Sequence, residues 1–282
     1  MSVANFFPEI FATGILKERD KVMVAAKHCT TEYEGEIKQK GDRVKILTVG
    51  DVQSYDYTRN ADINAPDQLN DEAQWLDIDK SKYCHISIDD IDKAQAAEGQ
   101  ILMKEGQRKL GLKMADDVDQ DIFGLYTLIA AGQTIDGYTA PVTTANVLSF
   151  LATIRQKFKE ANVPGGETIY LEVSPAIYTK FVMARIAQDT NNSKVIDNGE
   201  VAKNLYGIEL WESNNVVLNA TRYKCLARTK GAVAYASQLT ETVGYRPERR
   251  FGDAVKSLQV WGKKIIRPKE IFLFDALPGA EA

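Results

Sequence analysis

Few residues in this chain are of the types that do chemistry. Its two histidines each sit beside a cysteine, as His28-Cys29 and Cys84-His85. Such neighbours suggest zinc, but Cys84 and His85 lie in a stretch that alternates like a β-strand. Successive strand side chains point to opposite faces, so both could hardly reach one ion. No C-x-x-C or H-x-x-x-H spacing accompanies either pair. The expectation is a buried cysteine and a tolerated histidine, with no metal bound. "DDIDKAQ", from Asp89 to Gln95, gathers three carboxylates. A calcium loop would need acids at alternating positions, a glycine at its sixth position and a late glutamate, and that register fails. Capping of a helix explains the acids better.

"GQTIDGYT", Gly132 to Thr139, carries the two glycines of a phosphate loop, but Tyr138 stands where lysine is needed and a long helix precedes it in place of a strand. It reads as a turn. Neither G-x-G-x-x-G nor G-x-S-x-G occurs. Two histidines leave little material for Ser-His-Asp or Cys-His catalysis. No catalytic, cofactor-binding or metal-binding residue is therefore expected, and the chain reads as something other than an enzyme.

The elements around these residues are more informative. "KGDRVKILTV" reads as a strand, with Val44 and Ile46 on one face and Arg43 and Lys45 on the other. "QWLDIDKSKYCHISI" returns as strand, with Leu76 and Ile78 and then Cys84, Ile86 and Ile88 alternating against polar neighbours. Residues 41–88 thus resemble a long β-hairpin with a wide acidic tip at 50–73. A two-stranded ribbon alone is marginal in water and must lie on something. Residues 87–130 then read as one helix that hardly stops, capped by Asp89 or Asp90. About 40 residues at ~1.5 Å each would span roughly 60 Å. Its middle, "KEGQRKLG", is polar all round, which suits a bridging strut. "TTANVLSFLATIRQKFKEANVPGG" is an amphipathic helix with a stripe of Val147, Phe150, Leu151, Ile154 and Phe158, ended by Asn162 and Pro164-Gly165-Gly166. "ETIYLEV" is a buried strand. "SPAIYTKFVMARIA" is a helix with Ser174 as its cap and Pro175 in its first turn. Strands dominate from Tyr223 onward.

Composition is ordinary for a globular protein, and 282 residues allow about two domains. No apolar run approaches the ~18–20 residues of a membrane span. The start, "MSVANFFPEIFATG", has no basic flank and no long apolar block, so no signal peptide is expected. Three scattered cysteines are too few for a disulfide framework. A net charge of −4 argues against a protein built mainly to bind nucleic acid. That charge is uneven. Residues 51–80 hold eight acids against two bases, and residues 222–269 hold twelve bases against three acids. One segment could meet the other on a neighbouring copy. The candidates for such contacts are Asp71 and Glu72 on one side and Arg246, Arg249 and Arg250 on the other. Phe7, Ile10 and Phe11, in an arm at the start of the chain, would stay exposed until a partner covers them.

Several stretches resemble the major capsid proteins of tailed bacteriophages, most closely the branch of short-tailed-phage coat proteins. They are "EYEGEIKQKGDRVKI" (Glu32 to Ile46), "LDIDKSKYCHISIDDIDKAQA" (Leu76 to Ala96), "NLYGIELWESNNV" (Asn204 to Val216) and the block from Thr229 to Pro268. They keep the family's order and spread over most of the chain. The resemblance implies an α+β, Hong Kong 97-type capsid fold. The arm would be residues 1–40 and the extended hairpin loop 41–88. The peripheral domain with its spine helix would be 89–135 and 236–282, and the axial domain 136–235. It implies copies joined as pentamers and hexamers in an icosahedral shell that encloses double-stranded DNA by weak, non-specific contact, with no membrane. Assembly would take place in the host cytoplasm and the product would be the virion head. A portal and a separate scaffolding protein, or none, would be its partners. An encapsulin-type nanocompartment shares the fold and is the alternative. The chain leaves no room for the large inserted domain of some relatives, and no matched lysine, asparagine and acid for covalent cross-linking can be placed.

Overall fold

The computed structural model describes residues 23–32, 43–49, 54–57, 59, 62, 71–95, 99–136, 141–188, 196–197, 200–201 and 204–279. Phe7, Ile10 and Phe11 lie outside the described residues, as does most of the expected hairpin tip. In chain order the elements begin with β1 (Arg43–Val49), β2 (Asp71–Asp77), β3 (Lys80–Asp89), α1 (Asp90–Gln95) and α2 (Gly99–Phe123). There follow β4 (Thr134–Asp136), α3 (Val147–Glu160), β5 (Ile169–Val173) and α4 (Pro175–Gln188). Short strands β6 (Ile196–Asp197), β7 (Glu200–Val201) and β8 (Asn204–Leu205) lead to β9 (Ile208–Glu212) and β10 (Leu218–Asn219). The chain closes with β11 (Arg222–Thr229), β12 (Val233–Tyr245), β13 (Gly252–Ile265) and β14 (Ile271–Ala276).

Among the described residues there are four sheets, the smallest being the β6-β7 pair. The largest runs β4-β14-β11-β5-β9-β8, with β10 paired to β11. The second runs β12-β13-β3, and the third is the hairpin β1-β2. The stretch read as one returning strand is therefore two. β2 pairs with β1, whereas β3 pairs antiparallel with β13, from Lys80↔Trp261 to Asp89↔Gly252. Residues Ile78 and Asp79 carry the chain from one sheet to the other. The physical reason is support: β3 places Cys84, Ile86 and Ile88 beside Val255 of β13 and under Leu110 and Met114 of α2.

The long helix is shorter than its sequence suggests. β3 persists to Asp89, and beyond Phe123 the backbone tightens into a 3-10 turn at Gly124–Leu128. At ~1.5 Å per residue the 25 residues of α2 span roughly 38 Å. Asp89 Oδ1 accepts the Ile91 N–H at 2.9 Å, so the expected cap is made at the start of α1. α2 still bridges. Leu110 and Met114 pack on the second sheet, whereas Ala115, Val118, Ile122 and Phe123 enter the main core.

That main core lies between the large sheet and the helices beside it. Val147, Leu151, Ile154 and Phe158 of α3 are fully buried, and Phe150 packs against the same core. Phe158 meets Phe272 edge-on at 4.7 Å. Asn162, at φ 58°, takes the left-handed position after α3, as its place before Pro164 suggested. Ser174 caps α4 only through its backbone carbonyl, which accepts the Ile177 and Tyr178 N–H groups. Its hydroxyl is buried with no hydrogen-bond partner among the described residues, which differs from the expected side-chain cap. Tyr206 and Gly207 both have positive φ, the geometry of a tight two-residue hairpin turn between β8 and β9. Residues 134–136, expected as part of a turn, form a strand beside β14 instead.

Candidate functional site

Alternation places the hairpin. Val44, Ile46 and Leu76 share one face, and with Ile78 they are almost completely buried on Ala234, Ala236, Val260 and Ile266 of the same chain. The sequence suggested that the ribbon needs something to lie on; its base finds that support in its own second sheet. Gly262 makes the approach possible: a Cβ there would stand 2.3 Å from the Asp77 carbonyl oxygen. Lys264 Nζ donates to the Trp75 carbonyl at 2.7 Å and Gln74 Nε2 to the Ile266 carbonyl at 3.3 Å. On the outward face Arg43 pairs with Asp77 at 2.7 Å. Asp71 and Glu72 take the far end of the paired strands, opposite Val49 and Thr48.

The same face of the second sheet continues past the hairpin's base and is open there. Tyr83 lies opposite Leu258, His85 opposite Lys256, and Lys256 opposite Val243. Tyr83 is 76% exposed. The His85 ring stacks beside Tyr245, Nε2 and the phenol oxygen are 2.9 Å apart, and Lys256 Nζ lies 5.4 Å from the Tyr245 ring centre. Cys84 points the other way, half-buried beneath α2, as strand geometry requires. In the β12–β13 turn Arg246, Arg249 and Arg250 are exposed, and Phe251 is 84% exposed. Arg246 is already engaged, by an ion pair to Asp90 of its own chain. Lys263 likewise pairs with Asp121 at 2.8 Å. Part of the basic segment thus braces its own subunit.

A second cluster was not foreseen. His28, expected to be merely tolerated, is buried beside a full ionic network. Arg228 on β11 donates to both carboxylate oxygens of Glu172 on β5, at 2.7 and 3.2 Å. It also donates to the Ala25 carbonyl at 2.6 Å and to Cys29 Sγ at 2.9 Å. His28 Nδ1 lies 2.8 Å from Glu172, and its ring stacks on Tyr170 at 4.2 Å. Asp119 of α2 accepts the N–H groups of Val24 and Ala26. Burial drives Glu172 towards the neutral form, but the Arg228 charge and the bonds from His28 and Arg228 outweigh it and hold the carboxyl below its ordinary range. Burial dominates at Asp119 and pushes it up to about 6, with the backbone N–H bonds offsetting part of the effect. The Cys29 thiol is pushed up by burial, so it is no nucleophile. A signal was present: Glu172 in "IYLEV" and Arg228 in "CLART" are lone charges inside buried strands, which need partners.

A cleft of about 550 Å³ opens between Thr30, Ile46, Glu167, Tyr170, Lys230 and Arg267. It has no pair of groups poised for acid–base or nucleophilic work. Among the described residues no three His, Cys, Asp or Glu side chains gather as for a metal ion, and no helix is long and apolar enough to cross a membrane. What the geometry offers is surface: a hairpin seated by its base, an open sheet face beside it, and a basic, aromatic turn.

No family model matches the chain, and no curated protein is significantly similar to it. Solved structures are. A chain of Mycobacterium phage Che8 is 24% identical, with a TM-score of 0.71 over 89% of this chain and 90% of that one. The capsid of Ralstonia phage GP4 is 14% identical, with a TM-score of 0.64 over 94% and 91%. The SrpI encapsulin of Synechococcus elongatus is 13% identical, with a TM-score of 0.56 over 85% and 83%. The architecture is accordingly the α+β, Hong Kong 97-type capsid fold, as the resemblance in sequence implied.

Proposed function

We propose that this chain is the major capsid protein of a tailed phage, and that its copies close into an icosahedral head around double-stranded DNA. The observation that carries the reading is the likeness to phage chains, the capsid of Ralstonia phage GP4 among them, over about nine-tenths of both partners. The physical surface supports it: the hairpin and the open sheet face leave apolar and aromatic groups that a neighbouring copy would cover. On this reading 1–40 is the arm, 41–88 the extended loop, 89–135 with 236–282 the peripheral domain, and 136–235 the axial domain. Asp71 and Glu72 would face the free bases of a neighbour, Arg249 and Arg250, with Arg246 shared with Asp90. Phe7, Ile10 and Phe11 would dock on another copy. Pentamers and hexamers of the chain, a scaffolding protein and a portal are the partners this implies, and the short-tailed branch is the one whose motifs the sequence carries. The mildly acidic chain suits a container that must not clamp its cargo.

An encapsulin-type nanocompartment is the second reading, because an encapsulin shares the fold. The test is the content of particles made in cells with the neighbouring phage genes. Packaged DNA supports the head; a co-purifying protein cargo held on the inner wall, with no DNA, overturns it in favour of the compartment.

A further inference from the structure

We infer that residues 23–32 form a releasable strap, locked by the buried Arg228–Glu172–His28–Asp119 cluster and able to open without the core opening. This inference concerns the single subunit and stands whether or not the shell reading holds. The strap touches three units at once. Asp119 of α2 holds its start through the Val24 and Ala26 N–H groups. Arg228 and Glu172, from β11 and β5 of the large sheet, hold its middle at Ala25, His28 and Cys29. Thr30 then bonds β12 of the second sheet on both sides, its N–H to the Val233 carbonyl at 2.9 Å and its carbonyl from the Tyr235 N–H at 3.0 Å. The strap therefore ties the large sheet, the second sheet and the long helix together.

Its hold is largely polar. Met23, Ala25, Ala26 and Cys29 reach the main core, but only Met23 among them is a large apolar side chain, so the strap removes little apolar surface from water. Four of the bonds converge on two groups, Arg228 and Asp119, so losing either weakens two together, and release is expected to be cooperative. Arg228 and Glu172 keep each other when the strap leaves, so opening does not strand a lone charge in the core. The titratable and charged groups facing the joint are His28 and Cys29 from the strap, Asp119 from α2, Tyr170 and Glu172 from β5 and Arg228 from β11.

The three cysteines supply the readout. Cys29 is buried under the strap's own bonds, and Cys225 is buried in the main core. The purified chain is labelled with a thiol reagent in rising urea below the unfolding transition, and each cysteine is followed by peptide mapping. A strap that opens by itself gives Cys29 labelling at least about tenfold faster than Cys225, with a weaker urea dependence. Asp119→Ala, which removes the acceptor of the Val24 and Ala26 N–H groups and leaves the Arg228–Glu172 pair intact, should speed Cys29 further and leave the urea dependence of Cys225 unchanged. Labelling of Cys29 and Cys225 at one rate with one urea dependence in the unaltered chain would overturn the inference, and that arm stands even if the variant fails to fold.

Discussion

At the scale of single residues, Asp119 shows how a buried carboxylate can weaken the fold it belongs to. Its proton is held in the folded state up to about pH 6, above the value of 3.8 for a free side chain. Between those values the folded chain binds a proton that the unfolded chain has lost, so stability falls as pH rises through this window and levels off above it. The loss is on the order of 3 kcal/mol. Melting temperature should therefore rise as pH drops from about 7 to about 5, and Asp119→Asn should flatten that rise; parallel curves for the two proteins would refute the assignment. Glu172 has the opposite sign. Its carboxyl is held below the ordinary range, so its contribution is kept above that range and lost only in stronger acid. Gly262 acts through space instead. A methyl there meets the Asp77 carbonyl, so Gly262→Ala should cost about 1–3 kcal/mol of overpacking and shift the hairpin off its seat. Thermal melts and hydrogen exchange at Val44 and Ile46 would register it, and an unchanged exchange pattern would speak against that seat.

Among the elements, the hairpin carries the assembly argument. Asp71→Lys with Glu72→Lys would replace attraction by repulsion at a contact repeated over the shell. Exposed pairs are worth only ~0–1 kcal/mol each, so the subunit should melt within a few degrees of the original while particle yield falls sharply. Normal yield, or unfolding of the subunit, would defeat the claim. The sequence made most of these elements legible. The period-2 pattern of Val44 and Ile46 and the 3.6 pattern of α3 each reported the face that is buried. It misjudged the run from Gln74 to Ile88, because alternation marks a strand but not its partner, and here two strands of one phase belong to different sheets. It overextended the helix at both ends, because helical periodicity registers neither the pairing with β13 that holds the strand to Asp89 nor the 3-10 turn that takes over at Gly124–Leu128. His28 went unread for a similar reason: its partner Glu172 is 144 positions away, and only the fold brings them together.

For the molecule as a whole, the parts that fit poorly into a lone globule make sense together in a shell. The open face around Tyr83 and Tyr245 continues the seat of the chain's own hairpin, so a neighbour's ribbon would extend an interface whose first half is already built. Charge would steer that contact, and salt should loosen it, since the Debye length falls to ~3 Å at 1 M. Light scattering of assembled particles across a salt series should show dissociation at high salt before the subunit melts. The most direct measurement is electron microscopy of the purified chain at high concentration, with its scaffold if one is needed. Closed shells with five- and six-subunit rings are the predicted result, and a stable, monodisperse monomer that never forms particles would contradict the account.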